Sequence, residues 1–221
     1  MRRFSARYRD RTDAGARLAE VLAERIAAWP SPVVLGIPRG GVVVADEVAR
    51  VLGVELDLLG VEKVGAPWNP ELAVGAVGEG DVLWVDPELA TMVDAMWLQR
   101  IVEQERVELA GKLADVRRIR PHVDLAGRTA IVVDDGIATG STVRAALLAL
   151  ETAHPALRVL AVPIGPPETL AVLAGVTDEV VCPLRPLAFR AVGEWYETFG
   201  QTSQQQVLEI FARRAAADAV S

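Results

Sequence analysis

The sequence has a single cysteine, Cys182, no apolar run long enough to span a membrane, no internal repeat and no low-complexity linker. One cysteine excludes an internal disulfide and fits a reducing, cytoplasmic setting. The apolar runs around 145–150 and 170–174 fall well short of the roughly 20 residues that a membrane helix needs. The first residues carry positive charge with no apolar stretch behind it, so no signal peptide is expected. Cations are also in the minority: 23 Lys and Arg stand against 30 Asp and Glu, a net charge of −7. That balance argues against a broad nucleic-acid surface, which needs clustered Lys and Arg. A small anionic ligand stays open, because a helix N-terminus, a few basic side chains and a metal ion hold a phosphate at any global charge.

What is present suits one large α/β domain: 221 residues, 51% apolar and 24% charged, enough to build a core. Thr12 or Asp13 can cap a helix whose apolar residues Leu18, Leu22 and Ile26 recur every four positions, with Trp29 extending the face before Pro30-Ser31-Pro32. Residues 33–37 read as a buried strand and 42–52 as a helix. A second apolar strand is expected over 54–64, then an irregular loop over 65–70 and a β-hairpin over 72–85, centred on 78–81. One long helix is expected from Pro87 to about Arg120. Further strands fall at 128–134, 157–164 and 178–182, with helices at 142–153, 167–174 and 207–217. Strands alternating with helices give an open parallel sheet of about five strands, with ligands at the strands' carboxyl ends.

The most informative segment is Ala130-Ile131-Val132-Val133-Asp134-Asp135-Gly136-Ile137-Ala138-Thr139-Gly140-Ser141-Thr142. Four apolar residues make a buried strand, two acids appear where it emerges, and a small-residue loop enters a helix. Backbone N–H groups over 138–142 lack intrahelical partners and can surround a phosphate, with help from the hydroxyls of Thr139, Ser141 and Thr142. Two carboxylates beside a phosphate would repel it unless vicinal hydroxyls or a metal ion stood between, and a phosphorylated ribose with Mg²⁺ supplies both. Other phosphate motifs fail: no Lys follows Gly140, no G-x-G-x-x-G follows the first strand, and the acids are adjacent, where an aspartyl-nucleophile phosphatase needs them two apart.

Over 130–142 the chain resembles the type I phosphoribosyltransferases, whose signature is four apolar residues, two acids, a short variable stretch, then Thr-Gly and small hydroxyl residues. Nearly the whole length is similar to a bacterial branch of that family. Its marks are Arg9-Asp10-Arg11, Gly36-Ile37-Pro38-Arg39-Gly40-Gly41, Lys63-Val64-Gly65-Ala66-Pro67 and Phe189-Arg190-Ala191-Val192-Gly193 with Tyr196. The resemblance implies a single domain with a core over about 30–182, a hood from about 1–29 and 183–221, and a β-hairpin flap. It implies transfer of a phosphoribosyl group from phosphoribosyl pyrophosphate to a small nitrogenous base, with Mg²⁺, and is compatible with a homodimer.

Carried over position by position, Asp134 and Asp135 would contact the ribose hydroxyls, partly through Mg²⁺ and its waters. Ala138, Thr139, Gly140, Ser141 and Thr142 would cradle the 5-phosphate. Arg39, Gly40, Gly41 and Lys63 would take the pyrophosphate, with Arg39 and Lys63 also counted as catalytic. Phe189, Trp195 and Tyr196 are candidates to stack on the base. Lys63 has an ordinary alternative in pairing with Glu62, and Arg39 in sitting on the surface. Trp68 would cap the site or pin the flap. Cys182 is expected to be an inert core residue, and His122 and His154 to face solvent. No general base is visible, because Ala138 stands where the 6-oxopurine enzymes place an Asp. Two other classes stay open from the residues: a module that senses phosphoribosyl pyrophosphate without catalysis, and a sugar-phosphate or nucleotide hydrolase.

Overall fold

The computed structural model describes residues 7–79 and 82–218. Its centre is a five-stranded parallel sheet in the order β2-β1-β6-β7-β8. The strands are β1 (Val33–Gly36), β2 (Glu55–Leu58), β6 (Thr129–Val133), β7 (Leu157–Ala161) and β8 (Glu179–Val181). Every residue of β1 and β6 is buried, as expected of strands covered on both faces. Side chains alternate between those faces. Val34, Ile131 and Val133 meet helices α1 (Arg11–Ala23), α2 (Gly40–Leu52), α4 (Ala95–Ile119) and α7 (Gln204–Asp218) through Leu22, Val48, Leu113 and Phe211. Leu35, Ala130 and Val132 meet α5 (Ser141–Leu150) and α6 (Pro167–Leu173) through Val143, Leu147 and Leu173.

From β1 the chain moves to one neighbour, β2, and later to the other, β6, so the strand order reverses between β1 and β6. That is where open α/β sheets bind ligands. The register pairs Gly36 with Val133, which ends both strands at one level and sets their loops side by side.

Four expectations need correction. The strand expected over 54–64 is two strands in two sheets, β2 and β3 (Val61–Ala66), separated at Leu59-Gly60. Gly60 is why the chain can turn there: a Cβ would lie 2.6 Å from Leu113 Cδ1 and 2.8 Å from Glu79 Oε2. The loop expected over 65–70 is the end of an antiparallel ribbon, because β3 pairs with β4 (Asn69–Gly78) around a turn at Pro67-Trp68, with a bulge at Gly65. β4 then pairs with β5 (Leu83–Val85) across the expected hairpin, of which Gly80 and Asp81 lie outside the described residues. The single helix expected over 87–120 is interrupted. Asp86 caps α3 (Pro87–Ala90) by accepting from Glu88 and Leu89 N–H, and Asp94 caps α4 by accepting from Trp97 N–H. Likewise Asp10, rather than Thr12 or Asp13, caps α1. Among the described residues no helix is long and apolar enough to cross a membrane.

The three-stranded ribbon is tethered at its base by a charge cluster. Asp57 of β2 is fully buried and accepts from Arg117 Nη1 at 2.6 Å and from Val123 N–H at 3.0 Å. Arg117, on α4, also donates to Glu79 at the end of the ribbon, and His122 Nδ1 lies 3.3 Å from the same carboxylate. His122 faces solvent, as the sequence suggested, and is also engaged with Glu79. Burial alone would raise the Glu79 carboxyl, but hydrogen bonds from His122 and Arg117 and the Arg117 charge hold it down at about 2. The hydrogen bond to Glu79 raises His122 against the opposing effect of burial.

Arg117→Met leaves the buried Asp57 charge without its partner, and urea unfolding is expected to show a loss of about 3–5 kcal/mol. The cluster also predicts a pH profile. Glu79 contributes stability above its ordinary value of 4.5, and this is lost as pH falls towards about 2. His122 contributes stability below its ordinary 6.5, and this is lost as pH rises through its raised value. The urea midpoint should decline on both flanks of that window, and His122→Asn should remove the decline on the alkaline side.

Candidate functional site

Asp134 and Asp135 leave β6 just after its last residue, Val133. Asp134 Oδ1 accepts the backbone N–H of Asp135 at 2.8 Å. Burial, then the neighbouring Asp135 charge, pushes the Asp134 carboxyl up to about 8. Asp135 is also raised by burial, with Arg11 opposing the shift. Arg11 Nε donates to Asp135 Oδ2 at 2.7 Å, with both side chains largely covered. An acid pair this poorly hydrated gains from any cation brought to Asp134.

The β1–α2 loop packs directly on the acids. A Cβ on Gly41 would lie 2.8 Å from Asp134 Cα, and one on Gly40 would lie 2.1 Å from Asp135 Oδ2 and 2.9 Å from Arg11 Nε. The two glycines thus admit the acid loop itself, a role that the sequence reading had given only to a diphosphate. Between Ile37 and Gly40 the Pro38–Arg39 peptide is cis, and Arg39 is exposed at the start of α2. Arg39, Thr142, Leu59, Glu62 and Lys112 line a cleft of about 470 Å³.

The loop over 138–142 enters α5 with Gly140 in the left-handed region (φ 73°) and no side chain capping the helix. A Cβ at Gly140 would also meet Thr169 Cγ2 at 2.7 Å. Thr169 Oγ1 donates to the Ala138 carbonyl at 2.9 Å, which fixes the loop against α6. Ala138, Thr139 and Thr142 are exposed, and Gly140 and Ser141 are half-buried. An uncapped helix start with small, accessible residues can receive an anion. Lys63 Nζ reaches this loop from β3, 3.3 Å from Ser141 Oγ. Strand alternation sends its neighbour Glu62 elsewhere, to Lys112 at 3.0 Å, so the Glu62–Lys63 pair weighed from the sequence does not form.

The hood aromatics sit differently from one another. Tyr196 is buried, packs on Tyr8 and Phe199, and donates its hydroxyl to the Asp135 carbonyl. Its ring is therefore enclosed by the hood itself. Phe189 and Trp195 are partly buried around the same cluster. Trp68 is half-exposed at the turn of the flap. Cys182 is buried, and burial pushes its thiol up to about 12, as befits an unreactive core residue. The sequence reading missed a role for Arg11, Tyr8 and Phe199. The Arg9-Asp10-Arg11 mark was visible, but nothing local connects position 11 to position 135.

Gly40→Ala is expected to displace the Arg11–Asp135 pair and to lower stability by about 1–3 kcal/mol, although alanine suits a helix start. Gly111→Ala, in an exposed helical position with nothing within 4 Å of the new Cβ, should instead raise stability by about 0.5–1 kcal/mol. Thermal unfolding of the two variants beside the native chain checks both signs.

The model of the phosphoribosyl transferase domain matches residues 7–184. A protein of Mycobacterium tuberculosis (strains CDC 1551 and H37Rv), provisionally named a phosphoribosyl transferase, is 45% identical over 209 residues. That alignment takes in 93% of this chain and 46% of the relative, so the chain spans about half the length of the curated relatives it matches. A Thermus thermophilus protein known from its crystal structure is 45% identical, with a TM-score of 0.88 over 94% of this chain and 98% of that one. Acids, uncapped helix start and basic loops meet at the strand ends of a fold so matched along its length, and the chain belongs to the phosphoribosyltransferase family of enzymes.

Proposed function

We propose that the chain transfers the phosphoribosyl group of phosphoribosyl pyrophosphate to a nitrogenous base and releases pyrophosphate, with Mg²⁺ as cofactor. The observation that carries this is the β1–β6 register, which sets Gly36 beside Val133 and so brings a basic loop and an acid loop to one crevice. In this reading Ala138, Thr139, Gly140, Ser141 and Thr142 hold the 5-phosphate at the uncapped start of α5. Arg39 and the backbone at Gly40 and Gly41 take the pyrophosphate, with Lys63 delivered by the flap. Asp134 and Asp135 serve the ribose hydroxyls and the metal.

The donor set suits Mg²⁺. Among the described residues no group of three or more His, Cys, Asp or Glu could hold a metal. One or two carboxylates, completed by substrate phosphates and water, are the usual protein share for that ion. Bound there, Mg²⁺ would neutralise the departing pyrophosphate. The residues do the rest by position. A base nitrogen attacks C1 of the ribose, the bond from C1 to the pyrophosphate oxygen breaks, and the transition state is oxocarbenium-like. Fixed geometry and charge, rather than covalent chemistry, supply the acceleration. The ribbon of β3, β4 and β5 is built to cover such a site, excluding water from a reactive cation. Phe189 and Trp195, only partly buried, keep ring surface to offer a flat acceptor.

Calorimetric titration with phosphoribosyl pyrophosphate tests the reading. Mg²⁺-dependent binding by the native chain, lost in the Asp134→Asn/Asp135→Asn variant, is expected, followed by pyrophosphate release with one member of a base panel. Binding without release from any base would favour a sensing module. No binding at millimolar ligand, together with hydrolysis of simple sugar phosphates, would overturn the reading.

A further inference from the structure

Glu62 and Lys63 are neighbours on β3, and strand alternation turns them to opposite faces. Lys63 Nζ lies 3.3 Å from Ser141 Oγ, at the loop proposed to hold the 5-phosphate. Glu62 turns instead into the cleft of about 470 Å³ that Arg39 and Thr142 also line, and there it meets Lys112 of α4. Lys112 Nζ donates to Glu62 Oε1 at 3.0 Å and lies 2.9 Å from Oε1 of Glu108, one helical turn earlier. Among the described residues that line this cleft, two are cations, Arg39 and Lys112, and one is an acid, Glu62. Leu59, Leu109 and Leu113 supply apolar wall. Lys112 is half-exposed, so a ligand in the cleft can reach it. Its hydrogen bonds to Glu108 and Glu62 raise it against the opposing effect of burial, which keeps it charged.

We propose that Lys112 is a third cation for the pyrophosphate group, reaching it from α4 within the cleft that Arg39 lines, while Glu62 competes with that anion for the lysine. This rests on the function proposed above and adds to it a residue outside the segments in which the chain resembles its family. Pyrophosphate carries more negative charge than one guanidinium can neutralise. An ammonium is a compact charge with three donors that rotate freely among acceptors, so Lys112 can take a phosphate oxygen beside or in place of a carboxylate. The apolar wall lowers the local dielectric and strengthens that attraction. Glu62 presents a like charge to the same anion, so it weakens binding even as it steadies the lysine. The two members of one ion pair therefore act on the ligand with opposite signs, which a purely structural pair would not do.

A double-mutant cycle with two ligands reads this directly. Phosphoribosyl pyrophosphate and ribose 5-phosphate, each with Mg²⁺, are titrated into the native chain, Lys112→Met, Glu62→Gln, Lys112→Met/Glu62→Gln and Lys112→Arg. Lys112→Met should weaken phosphoribosyl pyrophosphate by about tenfold and ribose 5-phosphate, which lacks the pyrophosphate, by less than about twofold. Glu62→Gln should tighten phosphoribosyl pyrophosphate by about two- to threefold. Lys112→Met should cost about the same tenfold in the Glu62→Gln background, because the lost contact is with the ligand. Lys112→Arg, which keeps the charge, should retain most of the affinity. Methionine preserves the aliphatic stem against the apolar wall, and Lys112→Gln takes its place in the cycle if Lys112→Met does not fold. A loss that vanishes in the Glu62→Gln background would overturn the proposal, since Lys112 would then only mask Glu62. An equal loss for both ligands would overturn it too, by placing the effect away from the pyrophosphate. A native chain that binds neither ligand removes the function and the role of Lys112 together, whereas native binding with either contrary pattern removes the role of Lys112 alone.

Discussion

Where β1 and β6 end side by side, the backbone at Gly41 comes so near Asp134 that a Cβ would lie 2.8 Å from its Cα. That approach is a constraint on three things at once. It needs glycine at the first two positions of α2, it forces the two acids into a poorly hydrated corner, and it leaves the start of α2 within reach of whatever the acids hold. Burial then makes the acids costly as bare charges, which is why Arg11 stands against one of them. The basic loop, the acid loop and the cation from α1 are consequences of one close contact between two strand ends.

The flap obeys a different physics. Its three strands are antiparallel; Val64 and Val77 join the main core, Ala73 and Ala76 pack on Ala145 and Ala149 of α5, and charge fixes its base. The buried carboxylate of Asp57 draws in Arg117, which reaches Glu79 at the end of the ribbon. Such a cluster is a weak source of net stability, because desolvation offsets much of the attraction, but it gives the ribbon one defined seat. On that seat, period-two alternation turns Lys63 towards Ser141 and Glu62 towards Lys112. A slip of one residue would exchange the two and present a carboxylate to Ser141 at the start of α5.

How far the sequence could be read follows from the range of the forces involved. The buried run 130–133, the acids after it and the small-residue loop are local signals, and the parallel sheet and its site-bearing edge follow from them. The split at Gly60 was not legible, because an apolar run crossing from one sheet to another looks like a single strand; what ends it is Leu113, more than fifty residues away. Interruption of the long helix was marked by Asp94, a good cap, but its apolar period continues across the break. Arg11, Tyr196 and Phe199 were beyond reach for the same reason as Gly60. Their meaning lies in contacts with Asp135, and no pattern of neighbours along the chain records them. Tyr196 shows the cost of reading aromatics by type alone: a ring that looks ready to stack is enclosed by its own hood.

The bond from Arg11 to the Gly200 carbonyl spans 189 positions of the chain. Closing so long a loop costs entropy that only many simultaneous contacts can offset. The sheet and the helices before α7 can therefore be in place while the roof of the site is still missing, since every strand has emerged from the ribosome before residue 200 has. A growing chain passes through an interval in which Asp135 exists without Gly200 and Phe199 to steady its arginine. Ligand recognition in this sense waits on a segment made long after the strands that carry the acids.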